Sequence, residues 1–268
     1  MRCNFNFVYI LAIFVLFQTN IFSQSPYSLD AGREIAIFGG GIILGIVDHK
    51  LIDNKEPISD EELHNLSKKN LNAFDRGAVN NWSPASAEFS NVLLVTAIAS
   101  PLLMFTSSTV RNDVGTFSTI YLQNFLTTYS VSHVAKGLIS SYRPYTYNED
   151  ISDEIRQNVN ATHSFFSAHT SLSFASAVFL SITFSKYFPD SDFKPYVWSS
   201  SLLLASVVGY LRYASGQHFP TDIITGAIIG SIIGYLIPLI HESNEEEKGL
   251  NVPAGNPYNN LISFNIKL

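Results

Sequence analysis

The sequence predicts an all-α protein, a membrane-embedded helical bundle with about six core helices. Three observations predict it. Hydrophobic residues make up 46% of the 268-residue chain and charged residues only 14%, well below the roughly 25% charged residues of a soluble domain. Six apolar stretches, roughly 34–47, 92–105, 117–134, 172–184, 197–211 and 223–240, are separated by polar loops. The last of them carries Gly226, Gly230 and Gly234, each four apart, a small-residue stripe along one helix face that lets a neighbouring helix approach closely. The mean hydropathy of +0.16 is low for a chain that is all membrane, and fits apolar helices joined by sizeable polar loops. Several stretches are shorter than the ~20 residues of a full span, so a soluble all-helical bundle is the competing reading.

Taken in order, residues 1–23 read as a secretory signal peptide, or else an uncleaved anchor helix. Arg2 gives a positive start, Phe5 to Phe17 is apolar apart from Asn6, and small and polar residues follow through Ser23. Residues 24–91 hold the first apolar helix and a polar segment. In that segment Ser59-Asp60-Glu61-Glu62 forms a capping-box pattern. Leu63, Leu66, Leu71 and Phe74 then recur near helical spacing, which predicts an amphipathic helix on the membrane surface or over the mouth of the domain. Residues 92–241 form the core. Its helix over 117–134 carries Gln123, Asn124, Thr127, Thr128, Ser130, Ser132 and His133, too polar to face lipid, so it should be surrounded by other helices. Residues 242–268 form a polar C-terminal tail, with a weak strand-like alternation at Ile262, Phe264, Ile266 and Leu268.

Composition also excludes partners and chemistries. A net charge of −6 argues against nucleic acid, whose phosphates need a basic surface. The single cysteine, Cys3, lies within the N-terminal segment, so the rest of the chain holds no disulfide, thiolate metal site or cysteine nucleophile.

Three clusters sit at the ends of apolar stretches. They are Lys136 with Arg143-Pro144, Phe166-Ser167-Ala168-His169, and Arg212 with His218 and Asp222. Phosphoryl transfer spreads negative charge over three equatorial oxygens. Without a metal or other cofactor, cations and fixed N–H groups must meet that charge. Lys136, Arg143 and Arg212 supply cations, and the arginine fork suits two phosphate oxygens at once. Ser167 and Ala168 precede an apolar run, which places them at a helix N-terminus, where free backbone N–H groups cradle anions. His218, with Asp222 four residues on to orient its ring, suits a nucleophile; His169, beside the cradle, suits a general acid. The other buried-type histidines, His133, His163 and His241, read as structural. Metal sites want several carboxylate, His or Cys ligands, whereas here cations dominate, so no metal is expected.

At these residues the chain resembles the type-2 phosphatidic acid phosphatase and vanadium haloperoxidase superfamily, in its membrane lipid phosphatase branch. That family's signature is K-x6-R-P, then P-S-G-H, then S-R-x5-H-x3-D. Lys136, Arg143 and Pro144 match the first part, Ser167 and His169 the second, and Arg212, His218 and Asp222 the third with both spacings intact. Phe166, Ala168 and Leu211 stand where the family has proline, glycine and serine; alanine is expected to serve if its position is helical. The resemblance implies metal-free hydrolysis of a phosphate ester or anhydride, most simply a lipid phosphate, with a phosphohistidine at His218. Asp222 would orient it, His169 would protonate the leaving group, and Lys136, Arg143, Ser167, Ala168 and Arg212 would bind phosphate. It also implies a bacterial inner membrane with the site facing the periplasm, and no obligate protein partner is evident. A soluble nonspecific acid phosphatase, a vanadate-dependent haloperoxidase and a non-catalytic phosphate-lipid binder remain open. One tension remains. A cleaved signal leaves residue 24 outside, and if the first three stretches all span, Lys136 ends on the cytoplasmic side.

Overall fold

The computed structural model describes residues 25–53 and 56–243; the expected signal segment and most of the C-terminal tail lie outside them. Six long helices carry the fold: α1 (Ala31–Asp53), α2 (Pro84–Ala99), α3 (Val114–Leu138), α4 (Ala168–Tyr187), α5 (Lys194–Ala214) and α6 (Pro220–Ile240). Each of the six apolar stretches lies within one of them, the second extended by a 3-10 turn over Ser100–Thr106. Among the described residues there is no strand, only isolated bridges at Tyr27–Glu242 and Ser141–His163.

Helix ends follow local chemistry. Ser83 caps α2 by accepting from Ser86 N at 3.2 Å, and Pro84 fills the first helical position, where its missing N–H costs nothing. Ser167 caps α4 by accepting from Thr170 N at 3.3 Å. Two carboxylates meet the first turn of α6: Asp222 accepts from Phe219 N at 3.0 Å and Asp75 from Thr221 N at 3.0 Å. Negative charge there complements the helix dipole.

The bundle is tightest between α4 and α6, and the glycine stripe is the reason. A Cβ at Gly226 would stand 2.7 Å from Ser167 O, at Gly230 2.1 Å from Ser171 O, and at Gly234 2.5 Å from Ala175 O. The backbones therefore meet where side chains would not fit. On the other side of α6, Ile224, Ile228 and Ile232 are exposed. So are Phe89, Val92 and Val95 on α2. Stretches Pro84–Thr106 and Pro220–Ile240 are long and apolar enough to cross a membrane, and these apolar outer faces suit lipid rather than water. The polar α3 is enclosed as expected: Gln123, Asn124, Thr128 and Ser132 are buried among α1, α4 and α6.

The chain enters and leaves at one end. Ser28 N donates to His241 O at 2.8 Å, and buried His241 reaches Glu34 Oε2 at 3.0 Å through Nε2 and Ile237 O at 2.7 Å through Nδ1. An aromatic core closes that end, with Phe179 packed on Phe117 and Tyr121. From Asp222 to His241, α6 covers roughly 30 Å at about 1.5 Å per residue. Helix α1 starts at this end, with Glu34 beside His241, and packs along α3.

One expectation is corrected. The capping box at Ser59 forms, with Ser59 N donating to Glu62 Oε2 at 3.0 Å. The helix it opens stops after Asp60–Asn65, because Leu66 is extended and Ser67 caps a separate 3-10 turn over Lys68–Asn70. Leu63 packs with Ile58, Tyr145, Ile151 and Ala161, whereas Phe74 is exposed. The segment covers the loops at the mouth of the bundle instead of forming one amphipathic rod.

Candidate active site

All eight residues singled out in the sequence lie at the end of the bundle away from residues 25 and 243. The alternating helix directions bring them there: α3 and α5 end at this face with Lys136 and Arg212 in their last turns, and α4 and α6 begin there. Ser167 N donates to Asp222 O at 3.2 Å, joining the starts of α4 and α6. Ala168 is the first residue of α4, a helical position that alanine suits. Phe166, at the family's proline position, is buried edge-on to Phe165.

His218 is 1% exposed. Burial holds its imidazole well below the ordinary histidine range, and the charges of Arg143, Lys136, Arg212 and His169 push the same way. The turn that presents His218 is fixed. Gln217 N and His218 N donate to Arg212 O at 3.1 and 3.3 Å. Gly216 has φ +70°, and a Cβ there would lie 2.1 Å from Asn81 O, so only glycine fits.

His218 Nδ1 is 3.5 Å from Asp222 Oδ2, in contact but without hydrogen-bond geometry. That oxygen accepts instead from Ser164 Oγ at 2.5 Å and Phe219 N at 3.0 Å. Asp222 is thus anchored beside the ring, leaving Nε2 as the nitrogen turned away from the carboxylate.

Neutral oxygens bond to all three cations. Lys136 Nζ donates to His163 O at 3.1 Å. Arg143 Nε donates to Asn160 O at 2.8 Å, and its Nη1 to Gln217 Oε1 at 2.6 Å. Arg212 Nη1 donates to Ser90 Oγ at 3.1 Å and Nη2 to Gln217 Oε1 at 3.3 Å, while its buried Nε has no partner. Among the described residues no carboxylate pairs with either guanidinium, so their charge is available to an anion. His169, half-buried at the mouth, has Nε2 2.8 Å from Asn91 Oδ1, and burial, then the charges of Arg212, Lys136 and Arg143, hold its imidazole well below the ordinary histidine range.

Sequence reasoning missed five supporting residues: Ser90, Asn91, Ser164, Gln217 and Asp75. Ser90 and Asn91 are polar neighbours directly before the apolar stretch 92–105, a pattern that could have marked them. Gln217 adjoins His218, and Ser164 precedes Ser167 by three residues. Nothing in the sequence singles out Asp75, whose carboxylate also accepts from Thr221 Oγ1 at 2.7 Å.

Comparison with known proteins was made against this geometry. The family model described as the PAP2 superfamily matches residues 117–246. No curated protein is significantly similar. Among solved structures, the chain is similar to a transmembrane PAP2-type phosphatidylglycerolphosphate phosphatase from Bacillus subtilis, at 20% identity and TM-score 0.47, covering 80% of this chain and 96% of that one. It is also similar to LpxE of Aquifex aeolicus, at 20% identity and TM-score 0.42, covering 60% of this chain and 90% of that one. The matched segment contains all three motifs with their spacings intact, and through it the chain is similar to the PAP2 superfamily.

Proposed function

We propose that this PAP2-type phosphatase hydrolyses a membrane lipid phosphate or diphosphate, without a metal, through a phosphohistidine on His218. The observation that carries the reading is that the guanidiniums of Arg143 and Arg212 meet at the side chain of Gln217, next to the buried His218.

The reaction follows from the chemistry of these groups. Nε2 of His218 attacks phosphorus as the bond to the leaving oxygen breaks, and His169 gives that oxygen a proton. Asp222 stands beside Nδ1 to receive the charge that the ring gains. Water then attacks the phosphohistidine, His169 takes its proton, and inorganic phosphate and free His218 result. The guanidiniums, Lys136 and the first N–H groups of α4 hold the equatorial oxygens throughout, where a low-dielectric site makes such contacts strong. A crowd of fixed cations repels a divalent metal, which supports metal independence. A lipid substrate suits the site because the apolar outer faces of α2 and α6 run up to it, so that headgroup and acyl chains meet polar and apolar surface in turn.

With this function goes a bacterial inner-membrane location and a periplasmic site, the placement the family implies. On the present geometry that puts Tyr27 and Glu242 on the cytoplasmic side. A cleaved signal puts them outside, and the two expectations exclude each other.

The test is phosphate release by purified protein from phosphatidic acid, phosphatidylglycerol phosphate, undecaprenyl diphosphate and lipid A phosphate, with chelator present and His218→Ala as control. Release by the wild type and loss of about 10⁴-fold in the variant are expected. Full activity of His218→Ala ends the reading. Activity only on soluble esters, by protein that leaves the membrane without detergent, points to an acid phosphatase. Halide oxidation dependent on vanadate and peroxide points to a haloperoxidase, and binding without turnover to a lipid-phosphate binder.

A further inference from the structure

The side chain of Gln217 does something at this site that the reaction does not require. Its Oε1 accepts from Arg143 Nη1 at 2.6 Å and from Arg212 Nη2 at 3.3 Å. One neutral oxygen thus lies between the two guanidiniums that phosphate binding would use. These guanidiniums come from different parts of the fold, Arg143 from the loop before α4 and Arg212 from the last turn of α5. The backbone around Gln217 is held independently of its carboxamide. Its N–H is bonded to Arg212 O at 3.1 Å, its carbonyl accepts from Arg143 Nη1 at 3.2 Å, and the next N–H reaches Arg212 O at 3.3 Å. Only the side chain, with its rotatable bonds, is free to exchange.

We propose that Gln217 is an internal stand-in for a phosphoryl oxygen: its carboxamide occupies Arg143 and Arg212 while the site is empty and gives them up when phosphate enters, so residue 217 sets how tightly the site keeps substrate and product. The proposal rests on the phosphate-binding reading above and specifies how that binding is tuned. A phosphate held by three cations and a helix N-terminus leaves slowly. A neutral competitor tied to the same two forks weakens that hold without adding charge. Gln217 is a positioning residue here, since it acts through the arginines and not on phosphorus. A hydrogen bond to a charged group is strong enough for the competition to change affinity by about tenfold.

The experiment measures inhibition by inorganic phosphate and by vanadate, with kcat and KM, for the wild type, Gln217→Met and Gln217→Glu in detergent. Methionine keeps length and volume and removes the oxygen. Gln217→Met is expected to lower both inhibition constants about five- to tenfold and to lower KM, while kcat measured before product accumulates changes less than about threefold. Gln217→Glu places an anion between the arginines and is expected to raise the inhibition constants by more than about tenfold. Opposite shifts in two variants with wild-type melting temperatures are not produced by a loss of folding. Weaker inhibition in Gln217→Met overturns the proposal and makes residue 217 a direct phosphate ligand. Unchanged constants in both variants overturn it too. In either case an active wild type leaves the phosphatase reading intact, whereas a wild type that neither binds phosphate or vanadate nor turns over removes both.

Discussion

His218 Nδ1 and Asp222 Oδ2 stand 3.5 Å apart, and the carboxylate oxygen spends its hydrogen bonds on Ser164 and Phe219. Asp222 therefore has two tasks, beside the imidazole and at the start of α6. Asp222→Asn is expected to lower kcat roughly 10²- to 10⁴-fold with a smaller change in KM. Ser164→Ala, which removes a charge-assisted bond in a buried place, is expected to cost about 1.5–3 kcal/mol of stability. Steady-state kinetics and thermal melting separate the two. Wild-type kcat in Asp222→Asn removes the orienting role.

The state of His218 sets a pH dependence. Its folded-state pKa is depressed by burial and then by the surrounding cations, so the neutral, nucleophilic ring persists as pH falls through the ordinary histidine value of about 6.5. The acid limb of kcat/KM assigned to this ring is expected below that value. Relieving the positive field with Arg143→Gln should move the limb upward. A limb in the wild type at or above 6.5 that His218 controls contradicts this.

Arg212 is held by a serine hydroxyl and a carboxamide, with no carboxylate partner among the described residues. Arg212→Lys keeps charge and loses the fork. A loss in kcat/KM of about 10²-fold or more is expected for Arg212→Lys, with little recovery over Arg212→Ala. A lysine variant within about threefold of wild type shows that charge alone suffices.

The glycines divide into two classes with opposite expectations. A Cβ at Gly230 meets the backbone of Ser171 at 2.1 Å, whereas at Gly45 nothing lies within 4 Å. Gly230→Ala is expected to lose at least about 1–3 kcal/mol, and Gly45→Ala to gain about 0.5–1 kcal/mol from better helix propensity. Melting temperatures in detergent check both, and equal shifts refute the close α4–α6 packing.

Both ends of the described chain lie opposite the active site. Starting from Cys3→Ser, single cysteines at Ser243 and at Glu149, in the loop before α4, are expected to react from opposite sides with a membrane-impermeant maleimide. Labelling of Glu149→Cys in intact cells supports a periplasmic site; labelling of Ser243→Cys supports a translocated N-terminus. Reaction of both from outside shows that the bundle does not separate them across a membrane.

Much of this was legible in the chain. Apolar runs fix helices because 3.6-residue geometry satisfies every interior backbone group whatever surrounds it, so all six stretches appear where the sequence puts them. The stripe of Gly226, Gly230 and Gly234 announces a close contact, since nothing else in a helix makes so flat a face. Motif spacing names Lys136, Arg143, His169, Arg212, His218 and Asp222, because charged and titratable groups at the ends of apolar helices are costly unless used. The helix expected after Ser59 shows the limit: its spacing was helical, but Leu66 and Ser67 end it after six residues to pack Leu63 over Tyr145.

The sequence by itself determined the helices and the face on which α6 packs and named the candidate reacting groups, for these depend on residues within a turn or two of one another. Only the tertiary structure decided that α4 is the helix that meets those glycines. The same holds for Ser90 and Asn91 of α2 steadying Arg212 and His169, and for Gln217 joining two arginines that are 69 residues apart. Such pairings arise from helix order and direction, and hydrophobic burial, which carries no direction of its own, leaves no trace of them along the chain.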